Sequence, residues 1–160
     1  MDDGARDPDG SLAFLLVQLG MHGARQFGER LQPLGLEQRQ AGMLVRLAAS
    51  EGRSQRALAA MLGINATRMV FLVDELEKLG LVERRRNPED RRSHALYLTD
   101  PGRAVLAQVR AVAAEHEQQM SAGLTAAERD ELITLLRRLA AAQNLRPGSL
   151  PGFPPHQPSA

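Results

Sequence analysis

Leu62–Gly102, LGINATRMVFLVDELEKLGLVERRRNPEDRRSHALYLTDPG, decides how the rest of this chain is read. Asn65 can cap a helix whose apolar residues Met69, Val70, Leu72, Val73, Leu76 and Leu79 recur at helical spacing. Gly80 stands where a helix closes through a left-handed residue. Leu81–Arg84 reads as a short strand, Asn87-Pro88-Glu89-Asp90 as a turn, and Ala95–Leu98 as a returning strand. Thr99 or Asp100 can cap a further helix with Pro101 in its first turn. A helix followed directly by a basic two-stranded hairpin is the winged-helix plan for gripping DNA.

The charges point the same way. From Arg84 to Arg92 five arginines face Glu89 and Asp90, a side-chain balance of about +3. A charged turn also suits a merely solvated hairpin tip. The helix before the hairpin and the helix after it favour the nucleic-acid reading.

Leu76-Glu77-Lys78-Leu79-Gly80-Leu81-Val82, followed by Asp90-Arg91-Arg92, Leu96, Leu98-Thr99 and Gly102, resembles the signature of the MarR family of bacterial transcriptional regulators. That signature is an Asp-x-Arg wing followed by Leu-Thr-x-x-Gly, and the resemblance runs from roughly Leu12 to Asn144. It implies a mainly α fold with a small β-hairpin wing: a winged helix-turn-helix carrying N- and C-terminal dimerisation helices. It implies a homodimer that binds a pseudo-palindromic operator in double-stranded DNA, usually as a repressor. The wing aspartate of the family orients a neighbouring arginine, a role that falls here to Asp90. Family members often respond to a small aromatic or anionic effector held between the dimer helices and the DNA-binding lobe. Met21, His22, Arg25 and Met43 are the candidates for such a pocket, and plain helix packing accounts for them as well.

The totals suit one domain. The chain has 160 residues, 43% of them hydrophobic, with one Tyr, four Phe and no Trp, so its core must be aliphatic. A net charge of +1 means that DNA affinity depends on where the arginines sit. The absence of cysteine excludes disulfides, thiolate metal sites and thiol redox sensing. Met1-Asp2-Asp3-Gly4 lacks the basic-then-apolar order of a signal peptide, and no apolar run approaches the roughly 20 residues of a membrane span. A cytoplasmic protein with no membrane contact is the expectation.

Residues 1–10 read as a flexible acidic tail. Ser11 can cap a helix reaching about Leu31, with Leu12, Leu15, Leu16, Leu19, Phe27 and Leu31 on its apolar face. After the break at Pro33 and Gly35, Glu37–Ala49 is a second helix with Met43, Leu44 and Leu47 inward. Ser54 can cap a short third helix, Gln55–Leu62, carrying Ala57, Leu58 and Met61. Gly63-Ile64 joins it to the fourth, Asn65–Leu79, at helix-turn-helix spacing. Pro101 to about Ser121 is a fifth helix, with Val105, Leu106, Val109, Val112, Ala113, His116 and Met120 in one stripe. Thr125-Ala126-Ala127-Glu128 is a capping box opening a sixth, which bears Leu132, Ile133, Leu135, Leu136 and Leu139. These last stripes outrun a complete winged-helix core and call for a partner surface. The organisation expected is therefore a MarR-like domain over 11–145, with a DNA-binding lobe over about 37–100 and dimerisation helices at 11–32 and 101–145. Residues 146–160, with five prolines, form a Pro-rich disordered tail.

The N-terminal end of the fourth helix should enter the major groove with Asn65, Ala66, Thr67 and Arg68. Arg68 can grip guanine O6 and N7, Thr67 can reach a phosphate or a thymine methyl, and Asn65 suits a cap better than a base contact. Ser54, Gln55 and Arg56 are placed for backbone contacts. Arg91 or Arg92 can enter the minor groove. Arg84 and Arg86 share one face of their strand and Arg85 takes the other, so the three cannot all touch phosphate. Where the family pattern puts small polar residues and an arginine, this chain has Val70 and Phe71; Phe71 can read a methyl or plug the seam between helices, and core packing is the reading adopted. Asp74, Glu75 and Glu77 read as the solvated face of the fourth helix.

No HExxH, GxSxG, GxGxxG or phosphate loop occurs, and His22, His94, His116 and His156 are scattered. No catalytic residue, metal site or cofactor is expected. The competing reading is a non-enzymatic helical interaction module whose arginine-rich hairpin binds an acidic protein partner.

Overall fold

Local hydrogen bonding sets where each helix begins. The structure, a computed structural model, describes residues 10–86 and 94–145. The acidic tail, the hairpin tip with Asp90, Arg91 and Arg92, and the Pro-rich tail lie outside the described residues. Helix α1 spans Leu12–Leu31, with Ser11 Oγ accepting from the Phe14 N–H at 3.2 Å. A 3₁₀ turn, Gln32–Leu34, leads to α2, Gln38–Ala48, where Gln40 Oε1 accepts from the Glu37 N–H at 2.9 Å. Ser54 Oγ accepts from the Ala57 N–H at 3.2 Å to start α3, Gln55–Leu62. Asn65 Oδ1 accepts from the Thr67 N–H at 2.8 Å to start α4, Ala66–Lys78. Thr125 and Glu128 cap each other at the start of α6, Ala126–Ala142.

Two glycines end the helices of the central pair. Gly63 (φ 65°) and Gly80 (φ 69°) take left-handed conformations that a β-carbon would disfavour. The chain beyond each turns back on the last helical turn, the Ile64 N–H donating to the Ala59 carbonyl and the Leu81 N–H to the Leu76 carbonyl. That return bond occupies Leu81, so strand β1 begins one residue later than its sequence suggests, at Val82, and runs to Arg86.

Strand β1 pairs antiparallel with β2, His94–Leu98, in the register Val82↔Leu98, Arg84↔Leu96 and Arg86↔His94. The outer edge of β2 is not open. The Leu96 N–H donates to the Arg53 carbonyl, the Gly52 N–H to the Leu96 carbonyl, and the Leu98 N–H to Glu51 Oε1, at 3.0, 3.0 and 2.8 Å. The segment before α3 thus supplies the hairpin's third edge and pins the wing to the helical lobe. Burial alone would raise the Glu51 carboxyl. Hydrogen bonds from Arg103 and Leu98, with the charges of Arg103 and Arg85, overcome that and hold it below its ordinary range.

The core is aliphatic and lies where α2, α3, α4 and the hairpin meet. Leu44, Leu47, Leu58, Met69, Leu76 and Leu96 are fully enclosed there. Helix α5, Asp100–Met120, closes it with Leu106 and Val109. Met61 and Leu79, which the helical spacing placed inward, are exposed because Leu58 and Leu62 on α3, and Met69, Leu72, Val73 and Leu76 on α4, already fill the inward arcs. No residue of α6 is buried within the chain. The first half of α1 is likewise bare, from Leu12 to Met21. No single helix among the described residues is long and apolar enough to cross a membrane.

Candidate nucleic-acid interface

Helices α3 and α4 are bent by 117° across Gly63-Ile64-Asn65, within the range of the helix-turn-helix pair. This bend drives the N-terminal end of α4 outward. Ala66, Thr67 and Arg68 are all exposed, as is Asn65, whose side-chain oxygen is committed to the cap. Asn65 therefore positions the start of the helix, as its chemistry suggests. On α3, Arg56 is exposed, while Ser54 caps the helix and bridges Ala95 of β2.

The hairpin is tied to α4 by one arginine. Arg84 donates to Asp74 Oδ1 at 2.6 Å, to Glu77, and to Gln55 Oε1 at 3.2–3.3 Å; its backbone N–H donates to the second Glu77 oxygen at 3.0 Å. Its side chain is only 23% exposed. This corrects two sequence expectations. Arg84 is a brace between strand, recognition helix and α3, so its guanidinium is not free for phosphate, and Gln55 shares that duty. The acids of α4 are not simply solvated: Asp74 and Glu77 hold Arg84, and Glu75 holds Arg39 at 3.0 Å and Gln40 at 3.1 Å. Arg85 lies over the Tyr97 ring, 4.6 Å from its centroid, and also binds Glu83. Arg86 at the end of β1 is exposed.

A third correction concerns Phe71. It does not pack into the core but stands 63% exposed on α4, beside Val70 at 41%. The helical wheel carries this signal: Met69, Leu72, Val73 and Leu76 complete the inward arc without Phe71.

A MarR-family model matches residues 34–93. The chain is 34% identical over 142 residues to a transcriptional regulatory protein for the hcr operon of Thauera aromatica, covering 88% of this chain and 86% of that one. The chain belongs to the MarR family. Among solved structures of its fellow members, the transcriptional repressor CouR bound to a 23-mer DNA duplex is 37% identical, with a TM-score of 0.74 over 81% of this chain and 92% of that one. CouR from Rhodococcus jostii RHA1 bound to p-coumaroyl-CoA is 30% identical, with a TM-score of 0.70 over 84% and 92%. The protein is thus a MarR-family transcriptional regulator with a winged helix-turn-helix fold.

Within one protomer the four effector candidates of this MarR-family chain fall in two places. Met21, His22 and Arg25 are exposed on α1, whereas Met43 is fully buried in the core beneath α2, where the lobe needs it for packing. A cleft of about 570 Å³ opens instead between the C-terminal half of α1 and the start of α2, lined by Ala24, Gly28, Leu36, Gln38 and Arg39 among others. Nearby, His116 of α5 packs against Phe27 with ring centroids 5.3 Å apart, and its buried Nδ1 has no partner among the described residues. Burial, then the charge of Arg30, push its pKa below the ordinary value; Glu117 opposes them and His22 adds to them.

The Arg84 brace has a measurable consequence. Arg84→Met should lower stability by about 1–3 kcal/mol, because it strips charged hydrogen-bond partners from half-buried Asp74 and Glu77. Arg86→Met, on the same strand face but exposed, should stay within about 0.5 kcal/mol of the wild type. Urea unfolding of the two variants compares them directly. Equal stabilities would show that the brace does not hold in solution.

Proposed function

We propose that this regulator is a ligand-responsive repressor that binds a pseudo-palindromic operator as a homodimer. In this reading residues 37–100 form the DNA-binding lobe, and residues 11–32 and 101–145 carry the dimer seam, within a domain spanning 11–145. The observation that carries the reading is the outward-driven start of α4 standing beside a hairpin anchored to the same helix. Arg68 then grips a guanine edge and Thr67 a phosphate or methyl, while Arg56, Ser54 and Arg86 steady the backbone. Arg91 or Arg92 enters the minor groove, with Asp90 holding one arginine of the tip in place. The apolar faces left bare on α1 and α6 support the homodimer. The likeness to CouR supports an aromatic acyl thioester as effector class.

Mobility shifts on duplexes flanking the protein's own coding region test this. Wild type should give a discrete, sequence-specific complex that an aromatic acyl-CoA releases. Arg68→Ala should cost about 1–3 kcal/mol per base contact and relax preference at one position in each half-site, the half-sites lying about 10 base pairs apart. Arg91→Ala should weaken specific and random DNA alike, flattening the salt slope by about 2 for a dimer. Arg84→Met should leave that slope unchanged, since its charge is already matched by Asp74 and Glu77. Binding to no DNA fragment, specific or random, would sink the reading and leave the acidic-protein partner as its replacement.

A further inference from the structure

We propose that Phe71, seconded by Val70, is an apolar reader of thymine 5-methyl groups in the major groove. The inference rests on the DNA-binding reading above and deepens it by naming what the middle of the recognition helix recognises. At about 100° per residue, Thr67, Val70, Phe71 and Asp74 fall on one arc of α4, opposite the buried Met69, Leu72, Val73 and Leu76. Thr67 and Phe71 are one helical turn apart, so whatever surface meets the start of the helix meets Phe71 next. Phe71 is the most exposed aromatic ring among the described residues' large hydrophobics, at 63%.

The surroundings select a nucleic-acid occupant. Exposed Arg68 borders the patch on α4, Arg56 is exposed at the start of α3, and Asp74, the acid that would repel phosphate one turn further on, is neutralised by Arg84 at 2.6 Å. The centre of the arc is therefore apolar and its margin cationic. A groove edged by phosphates matches the margin. Within that groove the one apolar feature on a base edge is the methyl of thymine, and phenylalanine is among the side chains that contact it. An aromatic ring at this place cannot hydrogen-bond to guanine, so the preference it imposes is for A·T pairs at the centre of each half-site.

The test uses the full-length protein and a duplex it selects from a random-sequence pool. That duplex is prepared with thymine or with uracil at the A·T positions of each half-site; uracil keeps every hydrogen-bonding group and removes only the methyl. Losing one methyl contact should weaken wild-type binding about fourfold, and losing one in each half-site about 15-fold. Phe71→Ala should bind the thymine duplex more weakly and no longer distinguish it from the uracil duplex. Phe71→Leu should recover part of the discrimination. Because the side chain is exposed, the thermal unfolding of both variants should match the wild type. Equal wild-type binding to both duplexes would overturn the proposal while leaving the regulator reading intact. A Phe71→Ala variant that keeps full discrimination would overturn it too, as would one that changes only the protein's oligomeric state, which would assign the patch to a protein contact. Failure to select any duplex would remove the DNA-binding reading and this inference with it.

Discussion

Introducing two aspartates on α6, Leu132→Asp with Leu136→Asp, should convert a dimer of 17.5 kDa chains into monomers and abolish operator binding. Leu132, Leu135, Leu136 and Leu139 are all exposed on a helix that buries nothing within its own chain. With Leu12 of α1 and Ala142 they line an apolar cleft of about 500 Å³ between the two ends of the molecule. A helix with such a stripe needs a partner surface, and closing a second copy over it supplies one. Burying a whole leucine contributes about 1.5–3 kcal/mol, and with Leu132 43% and Leu136 37% exposed about two-fifths of each is left for a partner to cover, so removing two from each protomer forfeits roughly 2–5 kcal/mol, before the cost of placing carboxylates there. At 1.4 kcal/mol per decade, that moves the dissociation constant by about two to three decades, and burying the carboxylates moves it further. Light scattering at micromolar concentration should give twice the chain mass for wild type and the single mass for the variant. Binding should collapse with it, because one subunit holds only one half-site. A variant that remains dimeric would place the seam elsewhere.

Gly102→Ala should destabilise the fold by about 3 kcal/mol, the upper end of what overpacking usually costs. A β-carbon built on Gly102 would lie 2.0 Å from the Leu81 carbonyl oxygen, which is backbone and cannot rotate away. That oxygen also accepts from the Thr99 N–H at 3.1 Å, while Thr99 Oγ1 donates to the Gly80 carbonyl at 2.6 Å and accepts from the Gly102 N–H at 3.0 Å. The Leu-Thr-x-x-Gly motif is thus a lock joining the end of α4, the start of β1 and the first turn of α5. The glycine is required by close approach. For a chain of this size the loss corresponds to a fall in Tm of about 6–12 °C at fixed protein concentration. Gly20→Ala is the matched control: nothing lies within 4 Å of its added carbon, and alanine favours the helix by up to about 1 kcal/mol. Should both variants melt together, the junction would not be the close contact described here.

What the sequence determined by itself was whatever depends on residues within a turn or two of one another. Ser11, Ser54, Asn65 and Thr125 cap the helices they precede because each bond reaches only two or three residues along the chain. Gly63 and Gly80 end α3 and α4 for an equally local reason, and the wing signature named the family before any tertiary contact was considered. The tertiary structure decided partners and directions. Arg84 could be read as a free cation in its strand; only the approach of β1 to α4 and α3 gives it Asp74, Glu77 and Gln55. Glu51 gains the Leu98 N–H across 47 residues of chain and Arg103 across 52, a proximity no local pattern encodes. Met43 and Phe71 were both apolar residues on helices, yet one is enclosed and the other faces outward. That division follows from which arc of each helix the neighbouring elements cover, and covering is a property of packing, not of periodicity alone.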